Sequence, residues 1–396
     1  MAYSLEQSTS FSITTGSQEI RLNLKSFNIS VSDSIYSLAP RLVMTTEDVS
    51  GIGLESRLNV LGQNIAFKMI SGGQEINFPM TCAVYETPKA DSMNGLSGTF
   101  RIEFRHTAEF SGKESSGYEN RSPSEVFEAA MAQMNNEFNS LTGNSMRLPV
   151  LNTVKTSRCT SYPLILNPNY TLKDLVDKIL LPLANDGSAA TSPYYGYISI
   201  ENVAMFESLK DMMDKAPSCT IVFGHPLDDR ENATVALSLN NFSQDYSRVY
   251  GFIDQSLSYL DENHEVRSQD ISLSNVVTPL ALMKNSSRTN LVHPSDFYDT
   301  TDPVKEAGIN MFKNRKGLLF EKLVVLVFMD LSLCAGKTVD LDVYLNTADS
   351  EKSENYSGRY VIESSEHLWD AGSMTGYTRL ILGRMSMQIK GREMHQ

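Results

Sequence analysis

The side chains able to move protons, attack a substrate or hold a metal are few in this chain, and they are scattered. Its six histidines, His106, His225, His264, His293, His367 and His395, show no pair at metal-ligand spacing. His225, in Gly224-His225-Pro226 after an apolar run, is the one placed where it could meet a cleft, but a loop histidine with no partner in sequence makes a poor base. His367, just before Leu368-Trp369-Asp370, is expected to pack beside the only tryptophan. Asp228-Asp229-Arg230-Glu231 gathers three acids of the kind that bind calcium, yet lacks the spacing of an EF-hand and reads as a solvated acidic turn. Gly51-Ile52-Gly53 lacks the third glycine of a dinucleotide loop, and no Walker pattern occurs. Tyr162, Tyr170, Tyr194, Tyr195 and Tyr197 could form a stacking shelf for sugars or bases, but in a strand-rich stretch they are expected in the core or at an interface. Paired carboxylates for glycoside cleavage leave no sequence trace, because the fold sets their separation. No catalytic, cofactor-binding or metal-binding residue is nominated, and neither an enzyme nor a cofactor is expected.

Composition narrows the classes further. A length of 396 residues suggests two to four domains, and 41% hydrophobic residues suffice for a sizeable interior. The net charge of -13 argues against general affinity for nucleic acid or anionic lipid. Lys313-Asn314-Arg315-Lys316, the one visible basic cluster, falls at an expected helix end, where cations suit the dipole. Cys82, Cys159, Cys219 and Cys334 are far apart and lie in or beside apolar runs, so they should be free, small hydrophobes made in a reducing compartment. The start of the sequence has no basic, apolar secretion signal, and the run Leu323 to Met329 is too short to cross a bilayer.

The elements that must position these residues are mostly strands. After a polar arm over residues 1–18, Ile20, Leu22 and Leu24 alternate, as do Phe27, Ile29 and Val31. Ser71-Gly72-Gly73-Gln74 marks a hairpin, and Phe100 to Phe104 closes the set, giving a first small barrel over residues 19–118. Ser122-Pro123-Ser124-Glu125 is a capping box opening a helix with Phe127, Ala130, Met131, Met134, Phe138 and Leu141 on one face, ended at Gly143. Helices starting at Thr171 and Ser208, with strands between Tyr194 and Phe206, complete an α+β insert over residues 119–245. Residues 246–302 form an extended connection, and a helix with Ala307, Met311 and Phe312 leads into a second barrel over residues 303–390. There Val339, Leu341, Val343 and Leu345 alternate with Asp340, Asp342 and Tyr344. The expected class is therefore α+β and β-rich.

The last quarter runs from an apolar strand through Ala335-Gly336-Lys337-Thr338-Val339 and Ser357-Gly358-Arg359-Tyr360-Val361-Ile362 to Tyr377-Thr378-Arg379-Leu380. This order, behind a first barrel and an α+β insert, resembles the baseplate central hub proteins of contractile phage tails and related injection machines. That resemblance implies two tube-type barrels per subunit and a homotrimer presenting six barrels in a ring. Such a ring joins a sixfold tail tube to a threefold central spike and surrounds a DNA channel. Implied partners are the spike, a tube or tube-initiator protein and baseplate wedge proteins, with no specific nucleic-acid binding and no membrane insertion. The implied location is the virion tail baseplate, assembled in the host cytoplasm. A ring uses strand edges that a lone small sheet would leave bare, and Met311, Phe312 and Phe328 are expected near its interfaces. The alternatives are a β-rich glycan-binding or glycan-cleaving virion protein, and another tail or baseplate component that shares the barrel but not the trimeric role.

Overall fold

A computed structural model describes residues 9–15, 18–46, 64–86, 90–91, 95–96, 100–111, 116–141, 148–167, 169–186, 192–227, 232–244, 255–260, 266–271, 290–292, 321–345, 352–353 and 356–384. His264, His293, His395, Gly51 to Gly53, Asp228 to Glu231, Lys313 to Lys316, and the expected helix carrying Met311 and Phe312 lie outside the described residues.

The amino-terminal strands are β1 (Ser10–Thr15), β2 (Gln18–Arg21), β3 (Asn28–Ser34), β4 (Arg41–Thr46), β5 (Asn64–Ser71) and β6 (Gln74–Glu86). A short ladder of β7 (Ala90–Asp91) with β8 (Gly95–Leu96) precedes β9 (Phe100–His106). They pair antiparallel in the order β2-β1-β5-β6-β9-β4-β3. Gly72 and Gly73 turn β5 into β6 with φ of 58° and 79°, the mirror-image geometry that follows the twist of the strands. The alternate side chains Phe11, Ile13, Ile29, Val31, Phe67, Phe78 and Phe104 roll the sheet around one apolar core.

The insert opens with β10 (Ser116–Arg121), followed by helix α1 (Pro123–Leu141). Ser122 Oγ accepts from the Glu125 amide at 3.3 Å, while Glu125 Oε2 accepts from the Ser122 amide at 2.7 Å, closing the capping box read from sequence. Phe127, Ala130, Met131, Met134 and Phe138 are all buried as their spacing requires. Then come β11 (Thr153–Thr156), β12 (Tyr162–Asn167), α2 (Leu172–Leu175), β13 (Tyr194–Ile198), β14 (Val203–Ser208) and α3 (Leu209–Asp214). Thr171 caps α2, but the helix widens into a π turn at Val176–Leu180 before Leu181–Leu183. Pro182 has no N–H to give the preceding turn, and the Leu181 amide bonds back to Val176 O.

The second barrel is closed. It uses β15 (Thr220–Phe223) and β16 (Ala233–Gln244), then, after the small sheet of β17 (Gln255–Leu260), β18 (Val266–Ile271) and β19 (Asn290–Val292), the strands β20 (Glu321–Phe328), β21 (Thr338–Val343), β22 (Gly358–Asp370) and β23 (Thr375–Arg384). Hydrogen bonds run β22-β21-β15-β16-β20-β23 and back to β22, a ring of six strands filled by Leu323, Val325, Val327, Leu341, Tyr360 and Leu382 among others. Here the structure departs from the sequence reading: β15 and β16, expected in the insert, belong to the barrel. Their apolar runs announce strands, but Ile221 finds its partner Leu341 far along the chain, which no local signal specifies. Leu345, expected inside with Val343, is 66% exposed because β21 ends first.

β22 belongs to both sheets. Its first part pairs with β21, and residues Ser364 to Trp369 pair with β3. A register irregularity between Ile362 and Ser364 in its pairing with β23 marks the change. At its far end Trp369 meets Phe11 of β1 edge-on, with ring centroids 6.0 Å apart, and its Nε1 donates to Leu24 O at 2.9 Å. Side chains therefore draw together the two margins of the first sheet, whereas backbone pairing closes the second.

Candidate functional site

The residues where first sheet, insert and barrel meet centre on Asp33. In β3 the inward positions are Ile29, Val31 and Asp33, so a carboxylate takes the third place of an apolar row. It is 2% exposed. Asp33 Oδ2 accepts from the Ile200 amide in the insert at 3.0 Å. Its Oδ1 accepts from the Ala335 amide of the barrel at 3.2 Å and from Ser365 Oγ of β22 at 2.6 Å. Burial pushes its pKa up, and the three donors pull only partly against that. The alternation of Phe27, Ile29 and Val31 was visible in sequence, and carrying its phase one step further would have singled out Asp33.

Ser365 also lies 3.3 Å from His367 Nε2, whose Nδ1 is 3.0 Å from Thr378 Oγ1. The order is acid, serine, histidine. Acyl transfer needs the imidazole between the other two. Ser365 and His367 are also 1% and 0% exposed, and desolvation holds His367 neutral down to about 4. The row is a buried polar seam along β22. His367 shares its face of the strand with Trp369, as expected, but its hydrogen bonds run to Ser365 and Thr378.

Two further buried carboxylates are neutralised by cations. Glu103 receives Arg41, Arg101 and Arg105 at 2.5 to 3.1 Å. Burial pushes its pKa up, but the hydrogen bonds and charges of Arg41 and Arg105 outweigh burial and leave it lowered. Glu363, at the irregularity in β22, is paired with Lys322 of β20, whose ammonium also sits 5.4 Å from the Tyr36 ring. Beside Asp33 opens a polar cavity of about 490 Å³ lined by Ser32, Arg41, Arg105, Lys173 and Glu366 among others. Its cations already face Glu103, Glu109 and Asp177.

The remaining sequence candidates take ordinary places. Tyr162, Tyr194, Tyr195 and Tyr197 are buried and Tyr170 packs on the insert core, so they form no exposed shelf. The four cysteines are free, and burial pushes the Cys159 and Cys219 thiols up to about 11 and 12, away from nucleophilic thiolate. His225 stacks on Tyr344 with centroids 4.7 Å apart. Among the described residues no group of three or more His, Cys, Asp and Glu is arranged to hold a metal ion, and no helix is long and apolar enough to cross a membrane.

The outside of the barrel is the more telling surface. In β20 the inward Leu323, Val325 and Val327 are buried, but the outward positions are apolar too: Val324 and Leu326 are half-buried and Phe328 is 36% exposed. Phe328 faces Tyr377 of β23, and Leu237 of β16 is 39% exposed. A strand apolar on both faces is the pattern of one covered on both faces, and the described residues bury only the inner one.

No protein-family profile matches the sequence, and no curated protein matches it. Solved structures do. A tail protein of Neisseria meningitidis MC58 superposes with a TM-score of 0.57 at 9% identity, covering 95% of this chain and 96% of its own. The 43 kDa tail protein of prophage MuSo2 from Shewanella oneidensis gives 0.52 at 10% identity, covering 95% and 98%. An E. coli component of the type VI secretion system covers 91% of this chain and 74% of its own with a TM-score of 0.43, a likeness too slight to build on. The chain therefore has the α+β, β-rich fold of these two tail proteins, matched over 95% of its length.

Proposed function

We propose that this chain is a structural subunit of a contractile, phage-like tail: a baseplate hub that self-associates as a homotrimer. In that assembly each subunit contributes its closed barrel and its rolled first sheet to a ring of pseudo-sixfold symmetry. The ring joins the sixfold tail tube to a threefold spike and encloses a channel for DNA, with tube, spike and wedge proteins as partners. The protein acts by shape and contact, without a chemical step, in the tail baseplate of the virion.

The observation that carries this reading is the outward apolar row Val324, Leu326 and Phe328 on a strand whose other face already fills the barrel. Such a row favours association with another subunit, and an obligate interface above roughly 2,000 Å² would cover it. The full-length likeness to two tail proteins supports the setting.

The test is native mass spectrometry of the purified full chain. A trimer is expected, and the double variant Leu326→Asp, Phe328→Asp should run as a monomer with an unchanged circular dichroism spectrum. A wild-type chain that stays monomeric at high micromolar concentration overturns the hub reading.

A further inference from the structure

A second cavity, of about 210 Å³, lies in the seam between the insert and the barrel. Three lysines line it: Lys155 of β11, Lys215 just after α3, and Lys337 in the loop before β21. Lys337 Nζ is 2.6 Å from Glu201 Oε1 and donates to Ser332 O at 2.9 Å, and Lys215 is paired with Glu207. Three ammonium groups against two carboxylates leave one positive charge in excess on a chain of net charge -13. Lys155, exposed on β11, supplies the third. The wall between the lysines is mixed, with buried Ser199 and Thr338 beside Val203, Met205 and Ala335.

Behind the wall lies a donor with nothing to bond. Tyr197 is fully buried, and its hydroxyl has no hydrogen-bond partner. It sits against Gly336, a lining residue, so closely that a Cβ there would fall 1.5 Å from the oxygen. A buried hydroxyl left unpaired is costly, and this one adjoins the cavity through Gly336 without itself lining it.

We infer that the cavity between Lys155, Lys215 and Lys337 is a binding site for a small oxyanion, a phosphate or carboxylate group, that bridges the insert and the barrel. Its size admits such a group together with hydration water, and lysines act on it as point charges with rotatable donors. The anion has two possible sources, a free ion or an acidic side chain of a partner protein presented to the seam. The site is independent of whether the chain forms a ring.

The experiment is isothermal titration of the full chain with inorganic phosphate in one arm and a tri-glutamate peptide in the other, at constant ionic strength set with chloride. Saturable binding of phosphate is expected if the source is a free ion, and of the peptide alone if it is a partner's side chain. In either case Lys155→Gln should weaken binding at least about tenfold, as for loss of one charged hydrogen bond, while Lys155→Arg retains it. Lys155 is exposed, so both variants should fold, which circular dichroism checks. Binding in neither arm, or binding unchanged in Lys155→Gln, overturns the assignment.

Discussion

Asp33→Ala is the sharpest perturbation of the junction. It removes the acceptor of the Ile200 amide, the Ala335 amide and Ser365 Oγ in one step. Ser365 can turn to His367, 3.3 Å away. The two amides belong to fixed backbone in a dry place, and stranding each costs about 1–3 kcal/mol, so the expected loss is about 2–6 kcal/mol. Against a typical total of about 5–15 kcal/mol, that should be plain in the urea midpoint. Asp33→Asn keeps one acceptor oxygen and should lose less. Hydrogen exchange localises the effect, with amide protection at Ile200 and Ala335 falling first, since they belong to the insert and the barrel respectively. Burial holds the Asp33 pKa above its unfolded value of 3.8, so on acidification the folded state takes up the proton first. The margin of wild type over Asp33→Ala is therefore widest at acid pH and shrinks as pH rises through the folded pKa. A loss of unfolding free energy below about 1 kcal/mol with both amides still protected would refute the claim that this carboxylate ties three parts together.

His106 and His367 are buried and held neutral down to about 4 by desolvation, whereas an unfolded histidine protonates near 6.5. Between those values the unfolded chain binds more protons, so stability should fall as pH drops from about 6.5 toward 4. The loss is about 3 kcal/mol per residue, and urea titrations at stepped pH should show a flatter profile in His367→Gln. Tyr197→Phe removes a buried hydroxyl that has no partner and is expected to leave the melting temperature unchanged or raise it. Gly336→Ala should do the opposite, by about 2–5 kcal/mol in chemical denaturation, because the glycine has φ of 79° and its new methyl would strike that same hydroxyl.

Much of the local architecture was legible in the residues. The hairpin at Gly72-Gly73, the capping box at Ser122 to Glu125, the buried face of α1 and the caps at Thr171 and Ser208 all depend on neighbours a few positions apart. The free cysteines and buried tyrosines followed from composition and setting. The site was less legible, because an aspartate at the third inward position of a strand looks like any polar strand residue until its three donors arrive.

The amino-acid sequence alone determined the strand periods, the helix starts and an α+β class, because those rest on side-chain spacing and on backbone groups satisfied nearby. Only the tertiary structure decided that β15 and β16 close the second barrel, that β22 serves two sheets, and that Ile200, Ala335 and Ser365 converge on Asp33. Each of these is a pairing between distant parts of the chain. Its free energy comes from burying and satisfying groups that meet only after folding, and spacing along the chain does not encode it.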